Sequence, residues 1–172
     1  MLVSAGFEKA GRLADDAFAA VADDAPLSKT GGVIVSLKRY LGEAESLSRC
    51  GSPVGVRLES HESPEALRGH LDRIAIVVLH MPYFKDGRAF SWARLLRTRL
   101  GYTGEIRLTG HYLRDQIAFF ARVGVDSFEL PQNLSAEDIA AALGEISHCY
   151  QPSVDGRKTI LDFRAGRRAT RG

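Results

Sequence analysis

The residues best suited to chemistry fall in two short runs. One is Asp86-Gly87-Arg88 with Ser91; the other is His111 with Arg114-Asp115-Gln116. Each run follows an apolar stretch and precedes a segment of helical spacing, so each belongs at a strand-to-helix junction. Asp-Gly is a turn dipeptide. Arg88 and Ser91 then sit at a helix start, where free N–H groups and the helix dipole favour an anion. The chemistry implied is binding of an oxyanion or phosphate. The competing reading is a plain turn with a solvated Arg88 and Ser91 as a cap. Arg94 shares a helix face with Arg97, either as a binding face or as a solvated one. His111 has the side chain for acid, base or ligand work, and Asp115 lies four residues on; the alternative is an exposed loop histidine with Asp115 as a dipole partner. His80 ends an apolar run, either facing a crevice or satisfied at a strand end. Glu129 ends a later one. The candidate ligand set is therefore Asp86, Arg88, Ser91, Arg94, His111, Arg114, Asp115, Gln116 and Glu129.

Standard cofactor chemistry is not written in the chain. His61, His70, His80, His111 and His148 are scattered, with no HExxH and no CxxC, so no metal is expected. There is no G-x-G-x-x-G after a strand, no GxxxxGK[ST], no CxxCH and no G-x-S-x-G. No cofactor is expected, and whether the protein is an enzyme is left open by its motifs.

The elements that must position these residues alternate regularly. Apolar runs at 32–37, 55–58, 74–79, 105–109 and 125–130 read as strands. Helical spacing follows at 38–49, 63–71, 90–100, 112–123 and 135–148. Five strand–helix units imply a parallel sheet with right-handed crossovers. The expected fold is α/β: an open, flavodoxin- or Rossmann-like three-layer sheet, with a partial (β/α) barrel as the alternative. In either, ligands bind beyond the carboxyl ends of the strands, which is where both runs lie.

The chain divides into an N-terminal arm at 1–31, an α/β domain at 32–152 and a tail at 153–172. In the arm, Leu2-Val3 and Phe7 suggest a strand or hairpin, and Ala17 to Ala22 a weak helix. From Val154 onward, six Arg or Lys face two Asp, so the tail is basic, and it is expected to be mobile, with docking by Ile160, Leu161 and Phe163 as the alternative. The 172 residues are 45% hydrophobic and 26% charged, an ordinary globular composition. No apolar run approaches the roughly 18 residues of a membrane span. The positive charge is not gathered on a folded segment, so neither membrane nor nucleic acid is expected as a partner. Cys50 and Cys149 are far apart and are expected as reduced thiols in the cytoplasm.

One family shares this pattern. The run Asp86-Gly87-Arg88-x-Phe90-Ser91-x-Ala93-Arg94-x-Leu96-Arg97, then Gly101, Gly104-Glu105-x-Arg107, Gly110, Arg114-Asp115-Gln116 and Arg122-x-Gly124-x-Asp126-x-Phe128-Glu129, resembles the bacterial domain of unknown function 934. Val33-Ile34-Val35, Gly55-Val56-Arg57-Leu58 and Tyr150-Gln151-Pro152 fit it too. The resemblance spans residues 30 to 152. It implies a place in sulfur assimilation, because the family is often labelled a probable oxidoreductase or accessory protein of sulfite reduction. The implied partners are sirohaem sulfite reductase or proteins of the sulfate-reductase pathway; a small oxyanion is the ligand expected from the helix starts themselves. The resemblance carries no catalytic residues. The alternatives are an enzyme acting on a small sulfur- or phosphate-containing anion, and a scaffolding domain.

Overall fold

The computed structural model describes residues 7–9, 12–14, 16–27, 31–131 and 134–169, with backbone alone at 7–9, 12–14 and 166–169. The expected Leu2-Val3 strand lies outside the described residues. Eight strands form one sheet: β1 (Phe7–Lys9), β2 (Arg12–Ala14), β3 (Phe18–Ala20), β4 (Gly32–Ser36), β5 (Val54–Leu58), β6 (Ile76–Met81), β7 (Glu105–Gly110) and β8 (Ser127–Glu129). The order across the sheet is β2-β1-β8-β7-β6-β5-β4-β3. Strands β3 to β8 are mutually parallel, and β1 and β2 add an antiparallel hairpin beside β8.

The parallel α/β sheet is present, and its topology selects the barrel alternative. An open three-layer sheet needs a reversal of strand order so that helices cover both faces. Here β3 to β8 follow chain order with no reversal. Right-handed crossovers then place the connecting segments on one face, and the sheet curls into a half-barrel. Its two edge strands, β2 and β3, are consecutive in the chain. Ala14 and Phe18 are four residues apart, a reach of about 14 Å at most, so the sheet edges are drawn towards each other.

The convex face carries the main core. Val33, Val35, Val56, Leu58, Val77, Leu79, Ile106, Leu108 and Phe128 pack there with helix residues. The helices are α1 (Leu37–Arg49), α2 (Arg88–Thr98), α3 (Arg114–Arg122) and α4 (Ala136–Glu145). Their inward positions include Tyr40 and Leu47, Ala93 and Leu96, Ile117 and Phe120, and Ile139 and Ala142. A fully buried Leu, Ile or Phe contributes about 1.5–3 kcal/mol. This face holds the barrel together.

Three local expectations are corrected. The segment 63–71 is not an α-helix. Ser63 caps a single 3₁₀ turn at Pro64–Leu67, and a second follows at Leu71–Arg73. Gly69, at φ 86°, lies between them, where the chain leaves helical geometry. Ala17 to Ala22 is not helical, because Phe18–Ala20 pairs with β4 and Phe18 packs on Ile34, Ile76 and Val78; burial overrides the helix preference of alanine. The chain beyond Pro152 is fastened to the body. Ser153 Oγ donates to the Arg122 carbonyl (2.6 Å), and Arg122 pairs with Asp155 at 3.2 Å. Cys149 bridges Thr159, and helix α5 (Ile160–Ala169) follows.

Candidate functional site

The concave face differs from the convex one because its strand positions alternate apolar with polar. Pairing register sets out a row across five strands: Ser36, Arg57, Val78, Arg107 and Ser127. One step nearer the carboxyl ends, His80 pairs with Thr109. The lower part of this surface is sealed. Arg107 has 4% of its side chain exposed and donates to both oxygens of Asp16, at 3.0 and 2.9 Å, and to Glu105 at 3.4 Å. Ser127 Oγ completes the network by donating to Glu105 (2.7 Å).

The carboxyl ends form an open mouth. Arg57 reaches it from β5 with 42% of its side chain exposed. Its Nε lies 2.9 Å from Glu59 Oε1, but the N–H is not aligned for a hydrogen bond. His80 Nδ1 lies 3.3 Å from Thr109 Oγ1, and its Nε2 is 4.0 Å from Glu59 Oε2. Burial lowers the His80 pKa, Arg57 and His111 lower it further, and Glu59 opposes them. The ring is therefore neutral at pH 7. Beside it, a cavity of about 380 Å³ is lined by Val21, Asp23, Ser36, Arg57, Glu59 and Glu62, among others. Gly110, at φ 96°, ends β7 next to Met81, where a Cβ would run into the Met81 carbonyl. That conformation lets the His111 N–H reach the same carbonyl at 2.7 Å.

The rim of the mouth is aromatic and apolar. Tyr83 and Phe84 are 72% and 44% exposed, and Leu113 is 40% exposed. Gln116 ties their loops together: its Oε1 accepts from the Leu113 N–H (3.0 Å) and its Nε2 donates to the Phe84 carbonyl (2.9 Å). Phe119, on the same helix as Gln116, is also exposed.

The sequence-predicted residues are spread around this rim. Asp86 and Arg88 meet each other. Arg88 Nε and Nη2 donate to the Asp86 carboxylate at 2.9 and 2.7 Å, Nη2 reaches Ser60 Oγ, and the Arg88 backbone N–H also donates to Asp86. Arg88 holds the Asp86 carboxyl well below the usual carboxylate range. The helix start expected to receive an oxyanion thus holds the chain's own carboxylate. Ser91 is exposed and does not cap α2, whose N-cap is Gly87. Arg94 is exposed on the same helix. Arg97, expected beside it, instead clamps the carbonyls of Tyr102, Gly104 and Gly124 and pairs with Asp126. Arg114 pairs with Glu145 of α4 at 3.2 Å. His111 and Asp115 are exposed and, among the described residues, make no hydrogen bond to each other. Gln116 is the loop tie just described. The Glu129 side chain is exposed, while its carbonyl accepts from Tyr112 Oη at 2.5 Å.

Arg57, Glu59 and Thr109 are additional mouth residues, and their signal lay in strand alternation. Val-Gly-Val-Arg-Leu and Glu-Ile-Arg-Leu-Thr put every second side chain on one face. A polar set at that spacing marks a strand with only one face covered by helices. Among the described residues, no group of three or more His, Cys, Asp or Glu is placed to hold a metal, and no helix is long and apolar enough to cross a membrane.

No curated protein matches the chain. A family model does match, over residues 55–161, more than half of the sequence. The chain belongs to that family, described as bacterial protein of unknown function (DUF934).

Proposed function

We propose that this protein is an accessory protein of bacterial assimilatory sulfite reduction, working in the cytoplasm and docking on sirohaem sulfite reductase through the rim of its barrel mouth. The pathway and partner rest on the family resemblance. The docking role rests on one observation: Tyr83, Phe84 and Leu113 are large apolar side chains held exposed on two loops that Gln116 locks together. A patch of this kind on a rigid support is suited to a protein partner, and aromatic side chains dominate the energetics of such contacts. The test is capture of partners from a native lysate on the immobilised protein, read by sirohaem absorbance in the bound fraction. The wild type should retain sirohaem, and Tyr83→Ser/Phe84→Ser should lose it. Absence of sirohaem from the wild-type fraction would remove the proposal.

A second reading, an enzyme acting on a small anion, is favoured by His80. A neutral imidazole beside Thr109, with its Nε2 4.0 Å from Glu59, sets a base and a carboxylate side by side at the open mouth. In that reading His80→Asn abolishes turnover and leaves rim docking intact.

A further inference from the structure

The cavity beside Arg57 supports an inference that does not rest on either reading above. Arg57 is unlike the other partly buried arginines. Arg97, Arg107 and Arg122 each donate hydrogen bonds to carboxylates or carbonyls. Arg57 donates none among the described residues, and its buried Nε has only the misaligned Glu59 beside it. Its guanidinium lines a cavity of about 380 Å³, within the usual range for a small ligand. A planar fork of N–H groups in such a place matches a carboxylate or another oxyanion.

The rest of the lining selects between those ligands. Asp23, Glu59 and Glu62 share the cavity with the single guanidinium. Asp23 accepts from Ser36 Oγ at 2.7 Å through Oδ1, and Glu62 accepts from the Glu59 N–H at 2.8 Å through Oε2. Among the described residues, the other oxygen of each has no hydrogen-bond partner. Three carboxylates repel an inorganic dianion such as sulfite or sulfate, and they attract an ammonium. Ala20, Val21 and Ile34 supply an apolar wall.

We propose that this cavity binds a small zwitterion, a free α-amino acid, with its carboxylate on Arg57 and its ammonium among Asp23, Glu59 and Glu62. Arg57 is ion-paired with Glu59 without an aligned hydrogen bond; the ligand's carboxylate supplies one, and its ammonium supplies a cation for Asp23 and Glu62, which have none among the described residues.

The full-length protein is titrated by calorimetry with each of the twenty standard L-amino acids, and with propionate, cadaverine, sulfite and sulfate as probes. At least one amino acid should bind, and propionate and cadaverine, which carry charge of one sign only, and both inorganic anions should bind at least tenfold more weakly. Arg57→Met should weaken that amino acid at least tenfold, and Glu62→Gln should weaken it while leaving propionate no weaker than in the wild type, with both variants keeping the wild-type melting temperature. Binding of sulfite or sulfate equal to the best amino acid would overturn the proposal, as would cadaverine binding equally well. No heat with any of the twenty would overturn it too. If Arg57→Met melts early, Arg57→Lys with a wild-type melt decides: unchanged amino-acid affinity would show that the planar fork is not the anchor.

Discussion

Arg57 and Arg107 occupy the same row of the concave face, two strands apart with Val78 between them. Arg107 is sealed, with both oxygens of Asp16 and Oε1 of Glu105 aimed at it. Arg57 is open and has only a misaligned carboxylate. Two arginines with the same backbone setting thus have different surroundings. Asp16, just before β3, is brought over the barrel interior where the sheet edges approach, and it closes the floor over β7. Among the described residues, none does the same over β5. The difference separates a sealed part of the lumen from an open one.

Four substitutions would sharpen or break that comparison. The largest effect is expected at the floor. Arg107→Met strands Asp16 and Glu105 in a buried setting, and removal of one partner of a buried pair costs about 3–5 kcal/mol. Urea unfolding should show it, and a loss under 1 kcal/mol would mean that the network is not sealed. Next is the backbone of the mouth. Gly110→Ala forces a Cβ towards the Met81 carbonyl at a positive φ and should cost about 1–3 kcal/mol in the same assay.

The third concerns His80, whose pKa is lowered by burial and then by Arg57. Above the unfolded value of 6.5 both states are neutral there and the folded form loses nothing. As the pH falls from the unfolded value towards the folded one, the unfolded chain takes up a proton that the folded site resists, so stability declines, and the loss levels off once the folded ring is protonated too. Melting temperature should therefore fall from pH 7.5 to pH 5.5, and His80→Gln should reduce that fall. An identical fall in the variant would remove His80 as its source. The smallest effect is at Arg57. Being half-exposed and without hydrogen bonds, it should change stability by no more than about 0.5 kcal/mol when replaced by Met. A loss matching that of Arg107→Met would erase the distinction between floor and mouth.

Much of the fold was legible in the chain. β-branched runs and helical spacing located the five parallel strands from β4 onward, and four of their helices, to within a few residues. The strand order was not, because curling comes from the absence of a reversal, which no local pattern encodes. Phe18 shows the same limit: an alanine-rich neighbourhood favours helix, and only the edge of β4 makes it a strand. The site was half legible. Strand-end position located Asp86, Arg88, His111 and Gln116 on the rim. Which of them are free was not, since Arg88 is taken by Asp86 two residues away, and Arg114 by Glu145 on another helix. Arg57 and Thr109 are not among the candidate residues, because the expected three-layer sheet covers both strand faces with helices. The alternation Glu105-Ile106-Arg107-Leu108-Thr109 contradicts that, and it was the available clue.

The proposed role stands or falls on whether the rim binds. The most direct measurement is sedimentation velocity with purified sirohaem sulfite reductase, following sirohaem absorbance while adding wild-type protein or Tyr83→Ser/Phe84→Ser. The account predicts a faster-sedimenting, sirohaem-absorbing complex with the wild type. With the double variant, it predicts affinity at least about thirtyfold weaker, the loss expected for hot-spot residues, and an unchanged melting temperature. No complex with the wild type, or equal affinity for both proteins, would contradict it.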